Sequence, residues 1–298
     1  MGKKCKICGA PGSGNKCDYC GTRIKKEKVA NPVESEAIPT VHEVSTDMNH
    51  LDDSFTTSLS QTEMSVLTRK RNIALIGIYI AGMVLLPMLI MAVIILIRDY
   101  SLEYIQGEGF FGVLTLTNFI AYAILCTTVV LLTHKVFSQD FQKIESWGIL
   151  FRQVGIGLIF TFGAAFIGNT IVMLSGTTEV ALNQEMVESA LATMPILMII
   201  TIVVFAPIVE EVIFRLVLMN LFNWKPIHNL IFSSLVFGLI HVISGGLIHI
   251  IPYFLMGLVF GYFYLKYKNI WHVTILHVLH NGLTAVIMFM GQSLLELY

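Results

Sequence analysis

Two adjacent glutamates and an arginine stand inside an apolar run of this sequence, in the stretch PIVEEVIFR at Pro207–Arg215. Glu210, Glu211 and Arg215 are the only formally charged residues between Pro195 and Phe222. Charged side chains at bilayer depth are costly and commonly mark functional sites. At about 100° per residue, Glu211 and Arg215 share a helix face and can pair, whereas Glu210 is turned away and can face another partner. The alternative is a cluster at a helix end that reaches toward the membrane surface.

Two further polar clusters lie in apolar stretches closer to the C-terminus. In FGLIH, Phe237 and His241 are four residues apart, so an aromatic ring stands beside an imidazole. In HVLHN, His277 and Asn281 have the same spacing and point the same way. Taken singly, such residues are commonly interhelical hydrogen-bonding groups. Counted along their helices from the cytoplasmic ends, these groups and Glu210 fall at similar depths, which predicts one site built from three helices.

The chemistry of these side chains fits peptide-bond hydrolysis by an activated water. A carboxylate and an imidazole can activate the water, and a second imidazole and a carboxamide can donate hydrogen bonds to the oxyanion that forms. Other intramembrane protease types fit poorly, because the apolar stretches hold no aspartate and His42–Glu43 is not followed by a second histidine at position 46. Ser244, which precedes two glycines, lacks the motif of a serine protease.

The elements that must position these groups are membrane helices. Of the 298 residues, 55% are hydrophobic and 13% are charged, and the mean hydropathy is +0.74. Soluble domains carry about 25% charged residues, so the composition predicts a polytopic membrane protein. Apolar stretches close to the ~20 residues that cross a bilayer lie at 72–97, 112–133, 151–174, 193–222, 228–243, 247–265 and 270–291. The net charge of −1 gives little support to nucleic-acid binding.

Basic residues predict the orientation of these helices. Lysine or arginine residues precede the first stretch and lie between the second and third, the fourth and fifth, and the sixth and seventh, with Lys225 alone between the fourth and fifth. In the alternate connections Arg98 is the only basic residue, and the connection at 176–192 carries acidic residues without a basic one. The positive-inside rule therefore predicts a multi-pass cell-membrane protein of about seven helices, with its N-terminus in the cytoplasm and its C-terminus outside.

Four cysteines near the start of the chain have the spacing of a structural zinc site. Cys5 and Cys8 form one CxxC pair, Cys17 and Cys20 form a second, and a glycine follows each pair. This array suits a tetrahedral Zn²⁺ site made of reduced thiols. Two disulfides, or thiols without a ligand, are the alternatives. Cys126 lies in an apolar stretch and is expected to be a packing residue.

The sequence predicts three parts: a zinc ribbon at 1–25, a polar flexible linker at 26–68 and a transmembrane protease domain at 69–298. The linker holds prolines, serines and threonines without a sustained apolar period. The expected fold class is an all-α polytopic membrane bundle of about seven transmembrane helices, preceded by the small ribbon and the disordered linker. A cleavable signal peptide is not expected, because the first residues are polar.

The motifs EEVIFR, FGLIH and NIWHVTILHVLHN resemble, in order, the EExxxR, FxxxH and HxxxN motifs of the CPBP family. That family comprises CAAX prenyl endopeptidases of the Ras-converting type and bacterial proteins linked to bacteriocin self-immunity. The resemblance covers about residues 190–292. It implies a helical intramembrane protease in which Glu210 is the base and His241 helps to hold the attacking water. His277 and Asn281 would then form the oxyanion site.

The resemblance also carries expectations about partners and supporting residues. We expect Glu211, Arg215 and Phe237 to support the site. The expected substrate is a membrane-associated protein or peptide, the expected surroundings are a lipid bilayer, and the ribbon is expected to recruit a protein partner. The family has been described both as metalloprotease and as glutamate-dependent, so a catalytic metal is left open. The alternative function is a non-catalytic membrane scaffold or a bacteriocin self-immunity protein of the same fold.

Overall fold

The structure is a computed structural model that describes residues 3–4, 11–12, 68–100, 104, 107, 109–179 and 181–295, with side chains in the last helix to residue 290. Contacts divide the chain into two units, residues 1–47 and residues 48–298.

In the first unit, strand β1 (Lys3–Lys4) pairs antiparallel with strand β2 (Pro11–Gly12). Lys3 lies opposite Gly12, and Lys4 lies opposite Pro11. The predicted zinc ligands lie outside the described residues: Cys5, Cys8, Cys17 and Cys20. The predicted linker at 26–68 lies outside them too, except for Thr68. The ribbon therefore stays a prediction.

The described part of the second unit is helical. Its helices are α1 (Arg69–Arg98), α2 (Phe110–Gln142), α3 (Trp147–Leu174), α4 (Leu182–Thr193), α5 (Pro195–Asn220), α6 (Pro226–Val242), α7 (Ile250–Tyr267) and α8 (Ile270–Leu295). A short 3₁₀ turn, Leu247–His249, leads into α7. Helix α1 begins at Arg69, and the predicted bounds of the transmembrane domain stay a prediction.

Six of these helices are long and apolar enough to cross a membrane: α1, α2, α3, α5, α7 with its leading turn, and α8. Helix α6 is apolar but has only 17 residues. It coincides with the short stretch predicted at 228–243, so the count of about seven spans stays a prediction. The connection predicted at 176–192 contains a helix, α4, which buries Ala190 and Leu191.

Helix α5 alternates α-helical and π-helical turns: Pro195–Ile200 is α-helical, Thr201–Phe205 is π-helical, Ala206–Glu211 is α-helical, Val212–Val217 is π-helical and Leu218–Asn220 is a 3₁₀ turn. Pro207 has no N–H to donate, and the residue before it, Ala206, donates to the carbonyl of Thr201 five residues back. Such wide turns occur frequently at functional sites. Both glutamates of the predicted site lie in the α-helical turn between the two wide ones.

Helix α5 is also the most enclosed of the candidate spans. It contacts α1, α2, α6, α7 and α8, and Val209, Val212, Phe214 and Leu216 on it are 0% exposed. Polar side chains on α5 can therefore meet polar side chains from several helices at once.

Buried Asp140, near the end of α2, holds the start of α8 in place. Its Oδ2 accepts the N–H of Ile270 at 2.8 Å, and its backbone carbonyl accepts from Asn269 Nδ2 at 2.7 Å. Lys143 pairs with the Asp140 carboxylate. A carboxylate at a helix N-terminus satisfies an unpaired N–H and matches the positive end of the helix dipole. This contact fixes the height of α8 against the rest of the bundle.

Candidate functional site

Helices α5, α6 and α8 bring three of the predicted catalytic residues together. Glu210 Oε2 lies 3.9 Å from His241 Nε2 and 3.9 Å from His277 Nε2. The side chains of Glu210 and His277 are 10% and 4% exposed, whereas the His241 side chain is 18% exposed. His241 is therefore the most exposed of the three side chains. The structure brings together these three residues, which the sequence places at similar depths.

A hydrogen bond to the backbone orients His241. Its Nδ1 lies 2.7 Å from the carbonyl oxygen of Phe237 one turn earlier. A carbonyl only accepts, so Nδ1 carries the proton, and Nε2 of the neutral ring presents a lone pair toward Glu210. The Phe237 ring packs at 4.4 Å from the imidazole centroid. The aromatic wall predicted from the FGLIH spacing is confirmed.

Glu211 connects the charged pair on α5 to His277 on α8. Its Oε2 accepts from Arg215 Nε at 3.0 Å, which confirms the predicted pair, and its Oε1 accepts from His277 Nδ1 at 2.8 Å. Glu211 and Arg215 are 0% exposed. Because Nδ1 of His277 donates to a carboxylate, its Nε2 is the nitrogen that faces Glu210. The sequence does not indicate this second contact, since it joins residues on different helices.

Several groups that suit a cation surround Arg215, although its buried Nη2 has no hydrogen-bond partner among the described residues. Its Nη1 donates to Ser233 Oγ at 3.3 Å, and Ser233 Oγ donates to the carbonyl of Phe214 at 2.6 Å. Its Cζ lies 5.4 to 5.9 Å from the ring centroids of Phe214, Phe237 and Phe260, within range of cation–π attraction. Ser233 was not predicted. Its signal is a hydroxyl four residues before Phe237, on the same helix face.

Asn281 lies one turn after His277 and bonds to α5. Its Nδ2 donates to the carbonyl of Ile202 at 2.8 Å, inside the first π-helical turn. This contact joins α8 to the irregular part of α5, and the predicted oxyanion role of Asn281 stays a prediction. His280 points elsewhere: its ring lies 4.6 Å from the ring of Phe162 on α3.

The two separations of 3.9 Å are too long for direct hydrogen bonds between Glu210 and the imidazoles and suit bridging by one water. A water at about 2.8 Å from both Glu210 Oε2 and His241 Nε2 would make its two hydrogen bonds at roughly 90° to each other, given usual hydrogen-bond lengths. The Glu210 carboxylate and the Nε2 lone pair of His241 accept hydrogen bonds, and a water supplies two donors. Among the residues whose side chains are described, His, Cys, Asp and Glu form no group of three arranged to hold a metal ion. The structure does not assign a metal to these residues.

Comparisons with known proteins place the site within a matched region. Residues 192–283 match the family model described as "Type II CAAX prenyl endopeptidase Rce1-like". That range includes Glu210, His241, His277 and Asn281. The resemblance to CAAX prenyl endopeptidases inferred from the three motifs is thereby confirmed for this part of the chain.

Two relatives extend the similarity beyond that range. The chain is 26% identical over 181 residues to "Putative membrane peptidase YdiL" of Bacillus subtilis strain 168, which covers 59% of this chain and 71% of that protein. It is 31% identical over 148 residues to an "Uncharacterized protein" of Mycoplasma capricolum, which covers 45% of this chain and 44% of that protein. No solved structure matches. The chain is thus a membrane protein with a region that matches the Rce1-like CAAX endopeptidase model and with similarity to a protein described as a membrane peptidase.

Proposed function

We propose that this chain is an intramembrane endopeptidase that hydrolyses a peptide bond of a membrane-associated protein or peptide with a water activated by Glu210 and His241. The observation that carries the proposal is the position of the Glu210 carboxylate, 3.9 Å from Nε2 of both His241 and His277. The neighbouring Glu211 takes the Arg215 ion pair. Glu210 is therefore left with the imidazoles as its close partners and can act as a base.

In this mechanism the water lies between Glu210 and His241 and gives a proton to Glu210 as its oxygen attacks the peptide carbonyl. The new C–O bond turns the carbonyl oxygen into an oxyanion. His277, with a proton on each ring nitrogen, would donate from Nε2 to that oxyanion, and the second amide N–H of Asn281 would donate as well. The C–N bond then breaks, and the proton held by Glu210 passes to the leaving nitrogen.

A single substitution tests the base. Glu210→Gln keeps the size of the side chain but removes its basicity, so turnover per folded molecule should fall by about 10²-fold or more with the melting temperature retained. The matched control is Glu145→Gln, at an exposed position between α2 and α3, which should cleave like the wild type. Activity is read as new C-terminal fragments of membrane proteins in cells that carry each variant.

Full activity of Glu210→Gln per folded molecule would overturn the proposed base. Absence of new fragments even with the wild-type chain would favour the alternative of a non-catalytic scaffold or immunity protein. The two outcomes differ, because the first leaves an active enzyme and the second leaves none.

We also propose the orientation that the basic residues predict, with the N-terminus in the cytoplasm and the C-terminus outside. Single cysteines near residues 140 and 225 should be labelled from the cytoplasm, and a cysteine near residue 182 should be labelled from outside. Labelling of the position near 225 from outside would reverse the orientation.

We further propose that Cys5, Cys8, Cys17 and Cys20 hold one structural Zn²⁺, as their spacing suggests. Metal analysis of the purified full-length chain should find one zinc per chain, which Cys8→Ser should lose. Because these cysteines are far in sequence from Glu210, cleavage of a short model substrate should persist in Cys8→Ser. If the wild-type chain, purified under reducing conditions, contains no bound zinc, the proposed zinc site is wrong.

A further inference from the structure

Helix α7 contributes none of the four candidate catalytic residues, yet it places an aromatic ring against each of the two imidazoles. The Tyr253 ring stacks on His241 with centroids 4.5 Å apart and planes 24° apart. The Phe260 ring stacks on His277 at 4.4 Å and 24°. The two aromatic residues are seven positions apart, which is two helical turns, so they lie on the same face of α7.

Glycines allow α6 and α7 to approach closely enough for Tyr253 to stack on His241 of α6. A Cβ on Gly238 of α6 would lie 2.9 Å from Ile250 Cγ1, and a Cβ on Gly257 of α7 would lie 3.1 Å from the Cα of Ser234. A Cβ on Gly261 would clash with Leu230. Small residues at helix interfaces let the backbones come close, which fixes the register of one helix against the other. That register puts Tyr253 beside His241.

Each imidazole is therefore held in two ways. Its Nδ1 is tied to an oxygen, the Phe237 carbonyl for His241 and the Glu211 carboxylate for His277. A hydrogen bond at one ring nitrogen still allows the plane of the imidazole to tilt about that hydrogen bond. A stacked aromatic ring removes this freedom, and Nε2 of each histidine then points at Glu210.

We propose that Tyr253 and Phe260 are positioning residues that set the planes of His241 and His277, so that both Nε2 atoms face Glu210. The inference rests on the proposed function, because it assigns α7 a task in the same reaction. This role differs from ordinary core packing, because the flat aromatic ring of each residue orients the histidine, and an aliphatic side chain that fills a similar volume would not.

The test compares a change that removes the ring with one that keeps it. Tyr253→Leu should lower kcat about tenfold with KM within about twofold, since a misplaced catalytic group costs turnover rather than binding. Tyr253→Phe keeps the stacked ring and should stay within about twofold of the wild type. Phe260→Leu should likewise lower kcat about tenfold, for the same reason. The matched control is Tyr262→Leu on the same helix, at a tyrosine that is 43% exposed, which should leave kcat unchanged.

The outcomes separate the inference from the function on which it rests. Equal turnover of Tyr253→Leu and Tyr262→Leu, or an equal loss in Tyr253→Phe and Tyr253→Leu, would overturn the inference while cleavage by the wild type stands. A change confined to KM would overturn it as well. If Tyr253→Leu does not fold, Tyr253→Met takes its place, and failure of both to fold would show a packing role instead. Failure of the proposed function appears separately, as full activity of Glu210→Gln.

Discussion

Helices α1 and α5 are both long and strongly apolar, but they occupy opposite environments. Their most apolar windows have mean hydropathies of 3.0 and 2.5, and the buried shares of those windows are 6% and 44%. Helix α1 keeps regular α-helical geometry through Pro87, whereas α5 is broken by two π-helical turns. Hydropathy alone therefore does not tell a peripheral helix from the central one. The buried charges and the irregular backbone do, because both need protein partners in a membrane.

Among the substitutions that test this comparison, the largest loss of folding stability is expected at the buried ion pair of α5. Glu211→Gln leaves Arg215 without its counter-charge, which should destabilise the fold by about 3–5 kcal/mol, the cost of breaking a fully buried pair. Denaturation by SDS titration in detergent micelles measures this loss. Adding Arg215→Met should restore much of the stability, because it removes the unpaired cation.

The double variant also separates stability from catalysis. Glu211 additionally holds His277 Nδ1, so the stability that returns with Arg215→Met should not bring back full turnover. If Glu211→Gln were as stable as the wild type, the pair would be exposed to water in the folded protein and α5 would not be the enclosed helix described above.

A smaller effect is expected from an apolar side chain on the same helix. Leu216 is 0% exposed, and Leu216→Ala should cost about 2 kcal/mol, at the low end for buried leucine, because lipid is as apolar as the protein interior and mainly packing is lost. The same SDS titration measures it. A loss below about 0.5 kcal/mol would mean that the bundle closes around the cavity.

The smallest effect is expected on α1. Leu96 is 82% exposed, so Leu96→Ala changes only contacts with lipid, and stability should stay within about 0.5 kcal/mol of the wild type, as for other surface substitutions. This is the matched control for Leu216→Ala, since the chemical change is the same. A cost equal to that of Leu216→Ala would break the comparison and show that another surface covers α1.

Much of the site could be predicted because its information is local. Glu211 and Arg215 pair because they are one turn apart, and His241 meets Phe237 for the same reason. The convergence of Glu210, His241 and His277 followed from their depths in three apolar stretches. Helical periodicity and bilayer thickness together determine these relations, and both can be read from the chain.

The other contacts of the site depend on which helices face one another, and helical periodicity does not determine this. The bond between Glu211 and His277 and the contact of Arg215 with Ser233 each join two helices. Tyr253 and Phe260 look like any apolar residues of a membrane helix until α7 is docked. Helix α4 was missed because its acidic residues suggested an exposed connection. The catalytic roles themselves stay predictions, since geometry shows what can meet and not what reacts.

The two bonds of Glu211 also set an order of events during synthesis. Its partner Arg215 is four residues away, and its partner His277 is 66 residues away. At a synthesis rate of about 5–20 residues per second, the second partner leaves the ribosome about 3–13 s later. Throughout that interval the nascent α5 can already neutralise two of its three charges by itself, which lowers the cost of entering the bilayer. Glu210 can meet His277 only when α8 arrives, so a chain without α8 lacks part of the proposed catalytic site.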